Sequence, residues 1–101
     1  MWDESWENFR AEAYEFMKNK EETLLKNWLS DIGCKELTIG YYRDSSNKTM
    51  EIYSTRVGAL IGLAGANVKK LEEMLSEEFY GDYQVTFIEV RGGFVNYVRS
   101  N

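Results

Sequence analysis

Arg56-Val-Gly-Ala-Leu-Ile-Gly-Leu-Ala-Gly-Ala-Asn-Val-Lys-Lys-Leu-Glu-Glu-Met-Leu75 carries three glycines, Gly58, Gly62 and Gly65, close together. Beyond them Val68, Leu71, Met74 or Leu75, and Phe79 keep the spacing of one helix face. Before them Met50 and Ile52 alternate with polar neighbours, as on a strand. A strand therefore runs into a glycine-punctuated turn, and the turn opens a helix. Such a junction lets backbone come close to a phosphate, because glycine has no side chain and a helix start offers free N–H groups.

Upstream, Glu36–Arg43 alternates, with Leu37, Ile39 and Tyr41 on one face. Asp44-Ser45-Ser46-Asn47 is a turn cluster, and Lys48–Ser54 alternates again. This predicts a β-hairpin with a loop of about four residues. Tyr41, Tyr42 and Tyr53 are expected to make cross-strand pairs. Downstream, a short helical turn is expected over Val57–Ile61 and a longer helix from Ala66 to Phe79. Tyr80-Gly81-Asp82 breaks that helix. Tyr83, Val85 and Phe87 then share one face of a third strand, with Ile88 and Val90 on the other, and Gly92-Gly93 ends it. The tail, Phe94–Asn101, is either an edge strand or loose.

Residues 3–32 have helical spacing. Trp6, Phe9, Ala13, Phe16 and Met17 set it, and Leu24, Leu25, Trp28, Leu29 and Ile32 resume it. Asp3 or Ser5 is a candidate cap. The polar run Lys18–Thr23 and the capping-box pair Asn19 and Glu22 predict a break near Asn19 and two helices, with one long helix as the alternative. Gly33 stands where a helix stops. The spacing of Trp6 and Trp28 assigns them to packing rather than to base stacking.

The expected fold is α+β. An antiparallel hairpin and a third strand, parallel to the second through a right-handed helical crossover, make a mixed three-stranded sheet with helices on one face. The expected division is an N-terminal helical extension over 1–19, a domain over 20–92 and a tail over 93–101.

The chain has 101 residues, enough for one core. Its net charge is −5, the wrong sign for a generic nucleic-acid binder. Residues 1–32 hold four basic and eight acidic side chains, a net of −4, so the rest is near neutral. A local basic site remains compatible with that balance. Cys34 is the single cysteine and there is no histidine. That removes internal disulfides, the usual zinc sites and His-based triads. The expected location is a reducing, cytoplasmic compartment. No apolar run approaches a membrane span, and the acidic N-terminus is unlike a signal peptide. The glycines fit neither a Walker loop nor a dinucleotide fingerprint. With carboxylates scattered over helix faces, no catalytic residues, no metal and no cofactor are expected, and the chain reads as a non-enzyme.

With the elements in this order, Ile61-Gly62-Leu63-Ala64-Gly65-Ala66-Asn67-Val68 matches the I-G-x-x-G-x-x-[IV] signature of the K-homology family, and the order resembles its second, prokaryotic type. Ser54–Gly62 is similar to the stretch TARPGxVIG of the third protein of the small ribosomal subunit. Lys69–Leu75 resembles that family's EKLRKEL, Val85–Arg91 its LNIxEVK, and Ile32–Ile39 its AGVSKIEIE. The resemblance covers residues 6–91. It departs at Val57, where the family commonly has proline, and at Leu63 and Ala64, where it usually has basic residues.

The resemblance implies a type II K-homology fold and binding of single-stranded RNA, ribosomal or messenger, in connection with the ribosome or translation. Gly58, Gly62, Leu63, Ala64 and Gly65 would lie against the sugar–phosphate chain. Ile61 and Val68 would line the apolar groove for unstacked bases, or else belong to the core. Arg56, Lys69 and Lys70 would meet phosphates, unless the two lysines form a solvated face paired with Glu72 and Glu73. With no charge on Leu63 or Ala64, the expected affinity is weak and salt-sensitive. The alternative is a protein-interaction module on the same fold, docking a ribosomal or other protein through its acidic helices or its apolar loop.

Overall fold

In the computed structural model of the protein, residues 4–91 are described, with side chains from Ala11 onward. The C-terminal tail, Trp2 and the side chain of Trp6 lie outside the described residues. The element order is α1 (Glu4–Asp31), β1 (Gly40–Asp44), β2 (Thr49–Ser54), α2 (Val57–Ile61), α3 (Ala66–Phe79) and β3 (Gln84–Glu89), with a short 3-10 turn at Leu63–Gly65 before α3. The fold is α+β. β1 and β2 are antiparallel, β2 and β3 are parallel, and the strand order is β1-β2-β3. Among the described residues, no helix is long and apolar enough to cross a membrane.

α1 is one unbroken helix of 28 residues, which corrects the expected break near Asn19. The polar run is a contact segment rather than a boundary. Lys20 bridges to Glu78 at 3.1 Å, and Glu21 pairs with Arg43 at 2.6 Å. The boundary expected between residues 19 and 20 therefore falls inside a continuous helix. Gly33 ends the helix as expected. Its amide donates to the Ser30 carbonyl and that of Cys34 to the Leu29 carbonyl, and φ at Gly33 is +77°.

β1 begins at Gly40, four residues later than the alternation predicts. Gly40 pairs with Tyr53, so Ile39 would fall opposite Ser54, where β2 ends. Residues 36–39 have no strand left to pair with. Leu37 and Ile39 instead pack against the edge of the core. The hairpin turn has its four residues, and the Asp44 carboxylate organises it. It accepts from the Ser46 and Asn47 amides at 2.9 and 3.1 Å and from Asn47 Nδ2 at 2.8 Å. Those bonds, the Asn47 amide foremost, hold the Asp44 carboxyl below its ordinary range.

The register sets no tyrosine directly opposite another, and Tyr42 and Tyr53 are diagonal neighbours on one face. Tyr41 lies opposite Ile52, Tyr42 opposite Glu51, and Tyr53 opposite Gly40. Consecutive residues face opposite sides of a sheet, so Tyr41 joins the core and Tyr42 does not. The core forms between one sheet face and the helices. Tyr41, Met50 and Ile52 meet Leu24, Leu25, Trp28 and Leu29 of α1, Leu60 of α2, and Leu71, Leu75 and Phe79 of α3. Trp28, Met50, Ile52, Leu60, Leu71 and Leu75 are fully buried.

One buried polar cluster closes the end of the sheet where β3 begins. Arg43 Nε donates to Glu21 and Arg43 Nη1 to the Tyr83 hydroxyl at 2.9 Å. The guanidinium lies over the Phe79 ring, 4.0 Å from its centroid. The cluster joins α1, β1, the end of α3 and the entry to β3. Glu72 serves β3 from the side. Gln84 and Val90 donate to carbonyls along β2, at Lys48 and Ser54, so the Val85 amide faces outward, and Glu72 accepts it at 3.0 Å. That covers one exposed donor of an edge strand.

Candidate functional site

The opposite end of the sheet carries the glycine loop. β2 ends at Ser54, whose buried hydroxyl accepts the Arg56 amide at 2.9 Å. This local turn sets Arg56 before the first turn of α2 with φ −133°. Leu60 anchors α2 in the core. The chain then leaves helical geometry at Gly62, with φ +76° and ψ 176°, a region that only glycine occupies readily. A Cβ there would lie 2.5 Å from Asn67 Nδ2. Gly62 is thus required twice, by its backbone and by its neighbour.

Ala64 and Gly65 follow in left-handed conformation, with φ of 55° and 73°. For Ala64 that costs on the order of 1 kcal/mol. Gly65 precedes α3, and no side chain caps that helix start. The Gly65 and Ala66 amides donate to the Gly62 and Leu63 carbonyls, and the N–H groups that follow them in the first turn of α3 face the loop side with the positive end of the helix dipole behind them. Gly58 is different. It sits within α2 at ordinary φ, with open space where a Cβ would stand.

Side chains around the loop fall into three groups. Leu63 is 92% exposed at the tip, beside exposed Ala64. Ile61 and Val68 are half-buried on either side and belong to neither the core cluster nor its packed rim. Arg56 and Lys69 are exposed, and neither has an ion-pair partner among the described residues. Lys70 is exposed too, but its Nζ lies 3.7 Å from Asp31 at the end of α1. Neither lysine pairs with Glu72 or Glu73 among the described residues, as the alternative reading of a solvated face has it, and Glu72 is turned to β3.

Two contacts that sequence reading did not single out hold the loop in place. Trp28 Nε1 donates to the Asn67 carbonyl at 2.9 Å, tying α1 to the first turn of α3. The Asn67 side chain fills the space beside Gly62 and reaches the Ala59 carbonyl at 3.5 Å. Asn67 lies inside the quoted signature, so its neighbourhood was visible. Its pairing with Trp28 spans 39 positions, and no local pattern announces it. The same is true of Asp31 with Lys70.

The arrangement offers a helix start that no side chain caps, two exposed cationic side chains and a pair of half-buried aliphatic side chains. It offers no nucleophile with an adjacent base. Among the described residues no cluster of His, Cys, Asp or Glu is placed to hold a metal ion. No protein-family profile matches the chain. No curated protein matches it either.

Proposed function

We propose that the chain is a K-homology domain of the second type and a non-catalytic RNA-binding module. Single-stranded RNA lies along the loop from Ile61 to Val68. The uncapped first turn of α3, beyond the Ala66 amide that donates to Leu63, faces phosphate oxygens; Arg56 and Lys69 add charge, and Ile61 and Val68 receive unstacked bases. Gly58 contributes as a helix residue beside the loop, and Lys70 contributes once it leaves Asp31. The observation that carries this reading is the loop backbone: two glycines at positive φ, followed by a helix start that no side chain caps. That geometry matches what the resemblance implies for a phosphate-contacting turn. A role at the ribosome or in translation rests on the resemblance alone.

Binding is weak, because Leu63 and Ala64 bring no charge to the strand. Each phosphate neutralised by a cation contributes a slope of about −0.7 in log affinity against log salt for a single strand. With Arg56 and Lys69 engaged the slope is shallow, between about −1 and −2. The test is fluorescence anisotropy with labelled short single-stranded RNAs at low salt. Leu63→Asp puts a negative charge at the tip without touching the core, and it is expected to weaken binding at least tenfold at unchanged melting temperature. Absence of binding at low salt, or binding indifferent to Leu63→Asp, refutes the reading.

The exposure of Leu63 favours one second reading, a protein-interaction module that uses the apolar tip. It predicts the opposite ranking. Leu63→Lys would strengthen RNA binding under the first reading and abolish partner binding under the second.

A further inference from the structure

α1 overruns the body it packs on. At 1.5 Å per residue its 28 residues extend about 42 Å, whereas a six-residue strand covers about 20 Å. The ion pairs Lys20–Glu78 and Asp31–Lys70 show that α1 and α3 run antiparallel, side by side. α3 ends at Phe79, near Lys20, and α1 continues past it. Residues 11–17 are exposed all round, and three of them are large and apolar: Phe16 at 63%, Tyr14 at 57% and Met17 at 37%. Such a concentration of exposed apolar side chains on one helical segment marks an interaction surface.

Phe16 also lines a cleft of about 370 Å³ between α1 and α3, with Leu24 and Met74 among its apolar walls. The charges at its rim are not balanced. Lys20 is engaged by Glu78. Glu77 is exposed with no ion-pair partner among the described residues. Glu12, one helical turn before Phe16, is exposed and has no ion-pair partner among the described residues. Glu15 is exposed in the same way, and Lys18, next to Met17, has no ion-pair partner among the described residues either. Three carboxylates thus stand against one ammonium, and the uncompensated charge here is net acidic.

We propose that this cleft, with the exposed segment 11–17 of α1, docks a basic amphipathic helix from a partner protein. Two antiparallel helices present a trough that a third helix fits, with apolar anchors at i, i+3 or i+4, and i+7 seated against Phe16, Leu24 and Met74. Lysines or arginines flanking those anchors meet Glu12 and Glu77. A second copy of the chain would set acidic α1 against acidic α1, and an anionic bilayer would be repelled by the same rim. The site is separate from the glycine loop and does not depend on RNA binding there.

The test is an NMR titration of the ¹⁵N-labelled protein with a synthetic amphipathic helix of leucine and lysine, beside a leucine and glutamate counterpart. The expected result is saturable shifts of Phe16, Thr23, Met74 and Glu77 amides with the basic peptide and none with the acidic one. Glu12→Lys with Glu77→Lys is expected to weaken the basic peptide at least tenfold. Phe16→Ser does the same by removing an anchor, and circular dichroism should show both variants folded because the sites are exposed. The proposal is overturned by an unmoved cleft, by equal binding of the acidic peptide, or by indifference to the charge reversal. It is also overturned if sedimentation equilibrium shows that the cleft closes in a dimer. RNA binding at the loop reads a different set of amides, so failure of either reading leaves the other standing.

Discussion

At one end of the sheet Arg43 is buried between Glu21, Tyr83 and the Phe79 ring; at the other, the glycine loop leads into a helix start that no side chain caps, with Arg56 and Lys69 exposed beside it. α1 serves both ends. Glu21 and Trp28 are seven residues apart and so lie on one face of the helix. One closes the charged clasp, and the other ties down the first turn of α3 through the Asn67 carbonyl. At the clasp end Arg43, Glu21 and Tyr83 are spent on one another, which fixes the relation of α1, β1 and β3. At the loop end, the uncapped start of α3 and the exposed Arg56 and Lys69 are what the proposed RNA would meet. The difference separates stability from binding, and single substitutions can test the separation.

The largest effect belongs to the clasp. Arg43→Met strands Glu21, whose side chain is 11% exposed. Loss of one partner of a buried pair costs about 3–5 kcal/mol. Urea unfolding should show that loss, and Glu21→Leu added to Arg43→Met should recover much of it. RNA binding, read at a temperature where the variant is folded, should not change. A small loss would mean that the pair is far better solvated than its exposure indicates.

Next come the three glycines, which have three different answers. Gly62→Ala meets Asn67 and leaves a glycine-only region, for about 2 kcal/mol of destabilisation. Gly65→Ala has open space and bears only the left-handed penalty, about 1 kcal/mol. Gly58→Ala lies in a helix with open space and should stabilise by about 0.5 kcal/mol. Equal effects at the three positions would break the account of the loop.

A further effect concerns pH. Burial first, and then the charge of Glu21, raise the Tyr41 hydroxyl above its ordinary range. The folded state therefore favours the neutral phenol. That contribution is complete below about pH 10, the ordinary tyrosine range, and is lost as pH rises beyond it. Chemical denaturation at pH 9 and 11 should show stability falling for the wild type and falling less for Tyr41→Phe.

Much of the loop and of the crossover was legible because each rests on local rules. Glycine spacing marked the turn, and the period of Val68, Leu71, Leu75 and Phe79 gave α3 and its buried face. The helical connection made β3 parallel to β2. The face of Tyr42 was also readable, since it follows Tyr41 by one residue. The continuity of α1 was not, because the residues that imitate a capping box sit in a segment whose neighbours bond to Arg43 and Glu78. Those contacts join residues 22 and 58 positions apart, beyond the reach of any local pattern. The late start of β1 depends likewise on where β2 runs out. At the site, the signature marked which residues surround the loop, but not that Asp31 engages Lys70 or that Trp28 holds Asn67.

The most direct test of the loop as a phosphate-contacting surface is an amide map of the ¹⁵N-labelled protein with short single-stranded RNA at low salt. Gly62, Gly65, Ala66 and Asn67 should shift together, reverse on addition of salt, and leave the clasp residues Glu21, Arg43 and Tyr83 unmoved. If residues 61–70 stay still while RNA is present in excess, the central claim is wrong.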